Sequence, residues 1–134
     1  MSFYTIEGVI SIEKVLRIIE KNGRDIRICY NIFNPIRFGY GYPLQELGMT
    51  PVEKLRPIHL KDGAENMIGC TLLGEGVGKF FEVAEAIKTK GYTGWHFAET
   101  YYYKAPLKGS EDRLTMLCRY NDTMRSITWN GTSL

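Results

Sequence analysis

Arg56-Pro57-Ile58-His59-Leu60-Lys61-Asp62-Gly63 is a short apolar run that ends in polar side chains, and it decides how the rest of the chain reads. Pro57 to Lys61 has the composition of a strand. After it come Leu73-Gly74-Glu75-Gly76, a turn-forming loop, then a helical pattern, then Gly91-Tyr92-Thr93-Gly94-Trp95-His96-Phe97-Ala98-Glu99, whose second half from Gly94 reads as another strand closing on a carboxylate. Strand, loop, helix and strand in that order imply a βα unit with parallel pairing. Parallel α/β folds build their sites at the C-terminal edges of their strands, and here those edges carry His59 and Glu99.

Working outward, Phe3 to Glu7 and Ile26 to Asn31 read as two further strands of the same kind. Ile12 to Asn22 predicts an amphipathic helix with Ser11 at its N-cap, a stripe of Ile12, Val15, Leu16 and Ile19, and Gly23 as its terminator. Pro43 to Leu47 predicts a short helix. Thr50-Pro51-Val52-Glu53 has capping-box spacing with proline at the first helical position, but any helix there must be stunted because Arg56 already leads into a strand. A third helix carries Phe80, Phe81, Ala84 and Ile87 and ends at Gly91. A fourth begins near Ser110 with Glu111 and Asp112, and is expected to bury Leu114, Leu117, Cys118, Met124 and Ile127.

The strand ends Glu7, Asn31, His59 and Glu99 lie 24, 28 and 40 residues apart. An eight-unit barrel uses about 31 residues per βα unit, so four units need about 125. The chain has 134 residues, which predicts a single α/β domain over 1–134 equivalent to half of a (β/α)8 barrel, with 128–134 as a polar tail. An open flavodoxin-like parallel sheet is the alternative with the same element order.

Composition narrows the function classes. A hydrophobic fraction of 44% with 24% charged residues is an ordinary globular balance. The 17 basic and 15 acidic residues are interspersed, leaving no basic stripe for nucleic acid. Cys29, Cys70 and Cys118 are odd in number and lack CxxC spacing, which argues against a disulfide framework or structural zinc and reads as three small core residues in a reducing, cytoplasmic setting. No positively charged start leads into an apolar core and no run of about 18 apolar residues occurs, so neither export nor membrane insertion is expected.

Side chains alternate across a strand, so Glu7 shares a face with Thr5, Asn31 with Cys29, His59 with Lys61, and Glu99 with Phe97 and Trp95. The opposite face presents Ile6, Ile28, Tyr30, Ile58, Leu60 and Ala98 for helices to cover. Glu7, Asn31, His59 and Glu99 then point into the barrel at one mouth. Two carboxylates, an amide oxygen and an imidazole suit a divalent ion such as Mn²⁺, Mg²⁺ or Co²⁺. Asn34, Lys61 and Asp62 sit near the same mouth as candidate substrate contacts, although Lys-Asp-Gly is also an ordinary turn. His96 falls on the helix-facing side and reads as a packed core histidine. The glycines of the Leu73 to Gly76 loop offer either backbone amides to a phosphate or merely a tight turn.

Glu7 with Ser11-Ile12-Glu13-Lys14-Val15, Cys29-Tyr30-Asn31-Ile32-Phe33-Asn34, His59-Leu60-Lys61-Asp62, Leu73-Gly74-Glu75-Gly76 and Gly91-Tyr92-Thr93-Gly94-Trp95 with Glu99 together resemble the sugar-phosphate isomerase/epimerase family of xylose isomerase-like TIM barrels, over its last four units. The resemblance implies a metal-binding isomerase or epimerase of carbohydrate metabolism. Glu7, Asn31, His59 and Glu99 would be the ligands, with Glu7 and Glu99 shuttling a proton through an enediolate. The family pattern has aspartate where this chain has Asn31, which removes a negative charge from the ligand set. A degenerate site would hold no ion, and the competing reading is a non-catalytic half-barrel or assembly module. A DNA-repair endonuclease on the same barrel would need a histidine-rich multi-zinc site, and this chain has two histidines.

Half a barrel leaves two unpaired strand edges and an uncovered inner face. A homodimer or a complementary N-terminal half is the expected partner, alongside a small sugar or sugar phosphate.

Overall fold

The computed structural model describes residues 2–5, 10–65, 70–99 and 112–127, with the backbone alone for 2–5 and 70. Four parallel strands form the main sheet in the order β1 (Ser2–Thr5), β2 (Ile26–Asn31), β3 (Leu55–Leu60) and β6 (His96–Ala98). Each strand lies beside its predecessor in sequence, with Thr5 level with Cys29, Asn31 with His59, and His59 with Phe97. A flavodoxin-like sheet would reverse direction and place its first strand inside. The consecutive order is that of a barrel wall.

The first helix, α1 (Ile12–Asn22), has the expected limits, and Gly23 ends it with φ of 58°, a left-handed conformation in which a Cβ would be strained. Its N-terminus departs from expectation. Ser11 makes no side-chain cap, and the Ile12 N–H donates instead to Glu46 Oε1 at 3.1 Å. After β2 come a single turn α2 (Asn34–Arg37), then α3 (Pro43–Met49) and a 3₁₀ turn over Val52–Lys54. The capping box does not form: the Thr50 hydroxyl donates back to the Glu46 carbonyl and closes α3. A two-stranded antiparallel pair, β4 (Asp62–Gly63) and β5 (Cys70–Thr71), lies beyond β3. The helices α4 (Phe80–Thr89) and α5 (Arg113–Ser126) complete the described chain.

The helices α1, α3, α4 and α5 contribute to a single apolar layer on one face of the sheet. Ile28, Tyr30, Ile58 and Leu60 meet Ile12, Val15 and Ile19 of α1, Leu47 of α3, Phe80, Val83, Ala84 and Ile87 of α4, and Met116 and Tyr120 of α5. Burying side chains of this size stabilises by about 1.5–3 kcal/mol each, which makes this face the source of the fold's stability. Two expectations need correction. On α4 the buried stripe runs through Val83, and Phe81 is exposed. On α5, Leu114, Leu117 and Cys118 are exposed, because Met116 and Tyr120 face the sheet and set the rotation of the helix; the Tyr120 hydroxyl donates to the Leu60 carbonyl at 2.7 Å. Met124 and Ile127 do pack against the core edge. Of the cysteines, Cys29 is buried as expected and Cys118 is not.

The other face of the sheet has no helix against it among the described residues. Trp95 at 77% and Phe97 at 50% relative exposure stand on that face.

Candidate functional site

The mouth of the sheet is built where β2, β3 and β6 end. Parallel register places Asn31 beside His59 and His59 beside Phe97, and the Glu99 N–H donates to the Leu60 carbonyl at 3.0 Å, which extends the pairing past β6. Glu99 is the centre of the cluster. Its Oε1 accepts from Lys61 Nζ at 2.8 Å; its Oε2 accepts from the Asn31 side-chain amide and faces His59 Nδ1 at 3.3 Å. The second ring nitrogen, His59 Nε2, lies 3.4 Å from Cys29 Sγ. Phe97 meets the imidazole edge-on, with centroids 6.0 Å apart. Three of the expected ligands, Asn31, His59 and Glu99, are therefore brought together; Glu7 lies outside the described residues.

Burial differs sharply within this group. The Lys61 side chain is 1% exposed, whereas Glu99 is 21% and His59 28% exposed. The carboxylate and imidazole are reachable from the concave side. The ammonium beneath them is not.

The donor chemistry fits a divalent ion in part. Two ligands of one octahedral ion at about 2.1 Å stand about 3 Å apart, which the spacing of His59 Nδ1 and Glu99 Oε2 approaches. Asn31 does not fit as it stands: its Nδ2 points at Glu99, and its Oδ1 accepts from the Phe33 N–H at 3.2 Å. Presenting that oxygen to an ion requires turning the amide over and releasing Phe33. Among the described residues no three His, Cys, Asp or Glu side chains are arranged to hold a metal ion.

Asp62, a candidate substrate contact, is fully buried. Its Oδ1 accepts from the N–H groups of Gly63 and Gly78 at 2.9 Å each, and its Oδ2 from those of Gly74 at 3.0 Å and Gly76 at 3.1 Å. The amides of the glycine loop, which the sequence offered to a phosphate, are turned onto this carboxylate. A Cβ on Gly76 or Gly78 would run into Asp62, so the alternating glycines are a steric requirement of the cradle. The spacing of Gly74, Gly76 and Gly78 was the available signal, because amides at every second residue can converge on a single anion.

Asn34 opens α2 and is buried beside a cavity of about 20 Å³, room for one water, which Asn31, Cys29, Tyr40 and Glu46 also line. Burial raises the Glu46 carboxyl above its ordinary range, against the lowering effect of the hydrogen bonds from the Ile12 N–H and the Tyr30 hydroxyl. Burial and the neighbouring Glu46 push the Tyr40 phenol up to about 12. His96 packs edge-on against Tyr92 at 5.2 Å on the helix-facing side, and burial lowers its imidazole to about 4, in keeping with the reading of a core histidine. The cluster at Glu99 was legible from strand parity; the contact of Cys29 with His59, the bond from Lys61 and the remote cap by Glu46 were not.

A consecutive parallel sheet with helices on one face and a polar cluster at its C-terminal edge defines a TIM-barrel wall. The family of xylose isomerase-like TIM barrels matches residues 1–120, and the chain belongs to that family. Solved structures agree. A xylose isomerase domain protein from Planctomyces limnophilus superposes with a TM-score of 0.71 at 19% identity, covering 90% of this chain and 44% of its own. One from Alicyclobacillus acidocaldarius subsp. acidocaldarius gives 0.65 at 20%, covering 87% and 43%. IolI, a protein solved with a bound zinc atom, gives 0.66 at 17%, covering 91% and 45%. The chain thus spans less than half the length of these structures and corresponds to half of a (β/α)8 barrel. None of the curated proteins matches it. No helix of the described residues is long and apolar enough to cross a membrane.

Proposed function

We propose that the chain supplies half of a sugar or sugar-phosphate isomerase/epimerase barrel, in which Glu7 and Glu99 form the acid/base pair. The observation that carries this reading is the placement of Glu99 and His59: adjacent at the C-terminal ends of neighbouring parallel strands, in contact through one carboxylate oxygen, and open to the concave face. A base at that position can take a proton from the carbon next to a sugar carbonyl, and a second carboxylate on the opposite side can return it. Glu7, Asn31, His59 and Glu99 are the residues that would hold a divalent ion, Mn²⁺, Mg²⁺ or Co²⁺, which when bound stabilises negative charge on neighbouring sugar oxygens. Lys61 fixes the orientation of Glu99 through Oε1, while Oε2 meets Asn31 and His59.

The exposed inner face supports an obligatory partner. Trp95 and Phe97 stand uncovered where a complete barrel would be filled, so a second copy or a complementary N-terminal half closes the structure. A cytoplasmic setting accords with the cysteine usage.

The test is deuterium incorporation from D₂O into a panel of aldoses, ketoses and their phosphates, with Mn²⁺, using the chain alone and with any half that co-purifies. Exchange next to the carbonyl that disappears in Glu99→Gln is expected. A second reading, a non-catalytic module, has its own observation in the Asn31 amide N–H on Glu99, and absence of exchange in every combination would establish it.

A further inference from the structure

The ammonium of Lys61 is held almost wholly out of water and bonds Glu99 Oε1 at 2.8 Å, while the Asn31 amide donates to Oε2 of the same carboxylate. A carboxylate that ligates a divalent ion must present an oxygen lone pair and its negative charge to that ion. Here each oxygen of the carboxylate already accepts from a protein donor, and one of those donors is a cation. Asn31 adds no charge of its own, and the cation nearest to Glu99 is part of the chain.

We propose that Lys61 is a built-in counter-ion that competes with a divalent ion for Glu99, and so sets the affinity of the site for metal. This rests on the reading that Glu99 and His59 can ligate such an ion. Ion and ammonium oppose one another in two ways. Their like charges repel across a few ångströms of poorly solvated space, where Coulomb interactions are strong. They also draw on the same carboxylate, so that an ion bound to Glu99 weakens its bond with the buried ammonium, and weakening an ion pair to a buried charge is costly. Occupancy by metal is therefore disfavoured for as long as Lys61 holds Oε1. Asn31 acts in the same direction by spending an N–H on Oε2 where an acidic residue would offer a further negative oxygen.

Titration of the full chain with Mn²⁺, followed by electron paramagnetic resonance of the free ion and by thermal melts, tests this. Lys61→Met removes the charge at similar length; Lys61→Gln keeps a neutral donor and serves if the methionine variant does not fold. Both are expected to bind Mn²⁺ about tenfold or more tightly than the wild type, the scale of a lost charge-assisted hydrogen bond. Their melting temperatures should also rise more on adding Mn²⁺. Lys61→Arg keeps the charge and should match the wild type, and Glu99→Gln in the Lys61→Met background should abolish the gain. Folded neutral variants that bind Mn²⁺ no better than a tightly binding wild type would overturn the role of Lys61 and leave the ion-binding reading intact. No binding by the wild type or by Asn31→Asp combined with Lys61→Met would overturn both.

Discussion

Two carboxylates stand at the ends of neighbouring strands and are held in opposite ways. Asp62 is enclosed by four backbone N–H groups from Gly63, Gly74, Gly76 and Gly78 and has no exposed surface. Glu99 is held by the side chains of Lys61, Asn31 and His59 and remains partly open. Main-chain donors cannot leave without unfolding the loop that carries them, so Asp62 serves architecture: it ties the glycine loop to the end of β3. Side-chain donors can swing away, so Glu99 can exchange its partners for a substrate or an ion. How a carboxylate is satisfied, more than whether it is, separates a structural acid from a chemical one.

The largest effect that would break this contrast is Asp62→Ala. Leaving four amides without their acceptor, the two from Gly63 and Gly78 in buried bonds, is expected to destabilise the fold by about 3–5 kcal/mol, read as a shift in the denaturation midpoint. A loss below about 1 kcal/mol would mean the loop is held by something else. Glu99→Gln keeps the shape but removes the negative charge that lies 2.8 Å from the buried Lys61 ammonium. A cost of about 2 kcal/mol is expected, below the range for fully buried pairs because Glu99 is partly solvated. Were Glu99→Gln to cost more than Asp62→Ala, the assignment of roles would be reversed.

Acid sharpens the comparison through a third group. The His96 imidazole titrates near 4 in the fold against 6.5 when unperturbed, so the unfolded chain takes up that proton first as pH falls. Its contribution is complete above about pH 6.5 and drains between there and about 4. A loss of about 1–2 kcal/mol between pH 7 and pH 5 is expected from this group, discounted for its partial exposure. Glu46, raised by burial, acts in the opposite sense, since the folded chain is protonated first there. His96→Phe isolates the histidine component: its stability should fall less between pH 7 and pH 5 than that of the wild type. The smallest effect on stability belongs to the open face. Trp95→Ser combined with Phe97→Ser should change stability by less than about 0.5 kcal/mol per site while weakening association in analytical ultracentrifugation. A clear drop in the stability of the isolated chain would show that the face is already covered.

Much of the fold was legible because its signals are local. Ile12, Val15 and Ile19 recur at helical spacing before Gly23, and the C-terminal ends of β2 and β3 alternate between core and mouth through Tyr30 and Asn31 and through Ile58, His59 and Leu60, so parity put Asn31, His59, Lys61 and Glu99 on one side. The α5 helix was misread because both of its faces carry apolar residues: Leu114 and Leu117 on one, Met116 and Tyr120 on the other. Which face turns inward depends on what the sheet offers, and the Leu60 carbonyl accepting from Tyr120 lies 60 residues away in sequence.

The same division holds for the site. Periodicity, strand-end polarity and unit spacing determined an α/β half-barrel with His59 and Glu99 at its mouth, since these depend on the order of neighbouring residues. The tertiary structure alone decided what each polar group bonds. Asp62 went to the glycine amides, Asn31 turned its N–H to Glu99, Lys61 became the counter-ion and Glu46 capped a helix 34 residues earlier. Hydrogen bonds and ion pairs form between whatever groups folding brings within about 3 Å, and that proximity is a property of the packed chain and not of its local pattern.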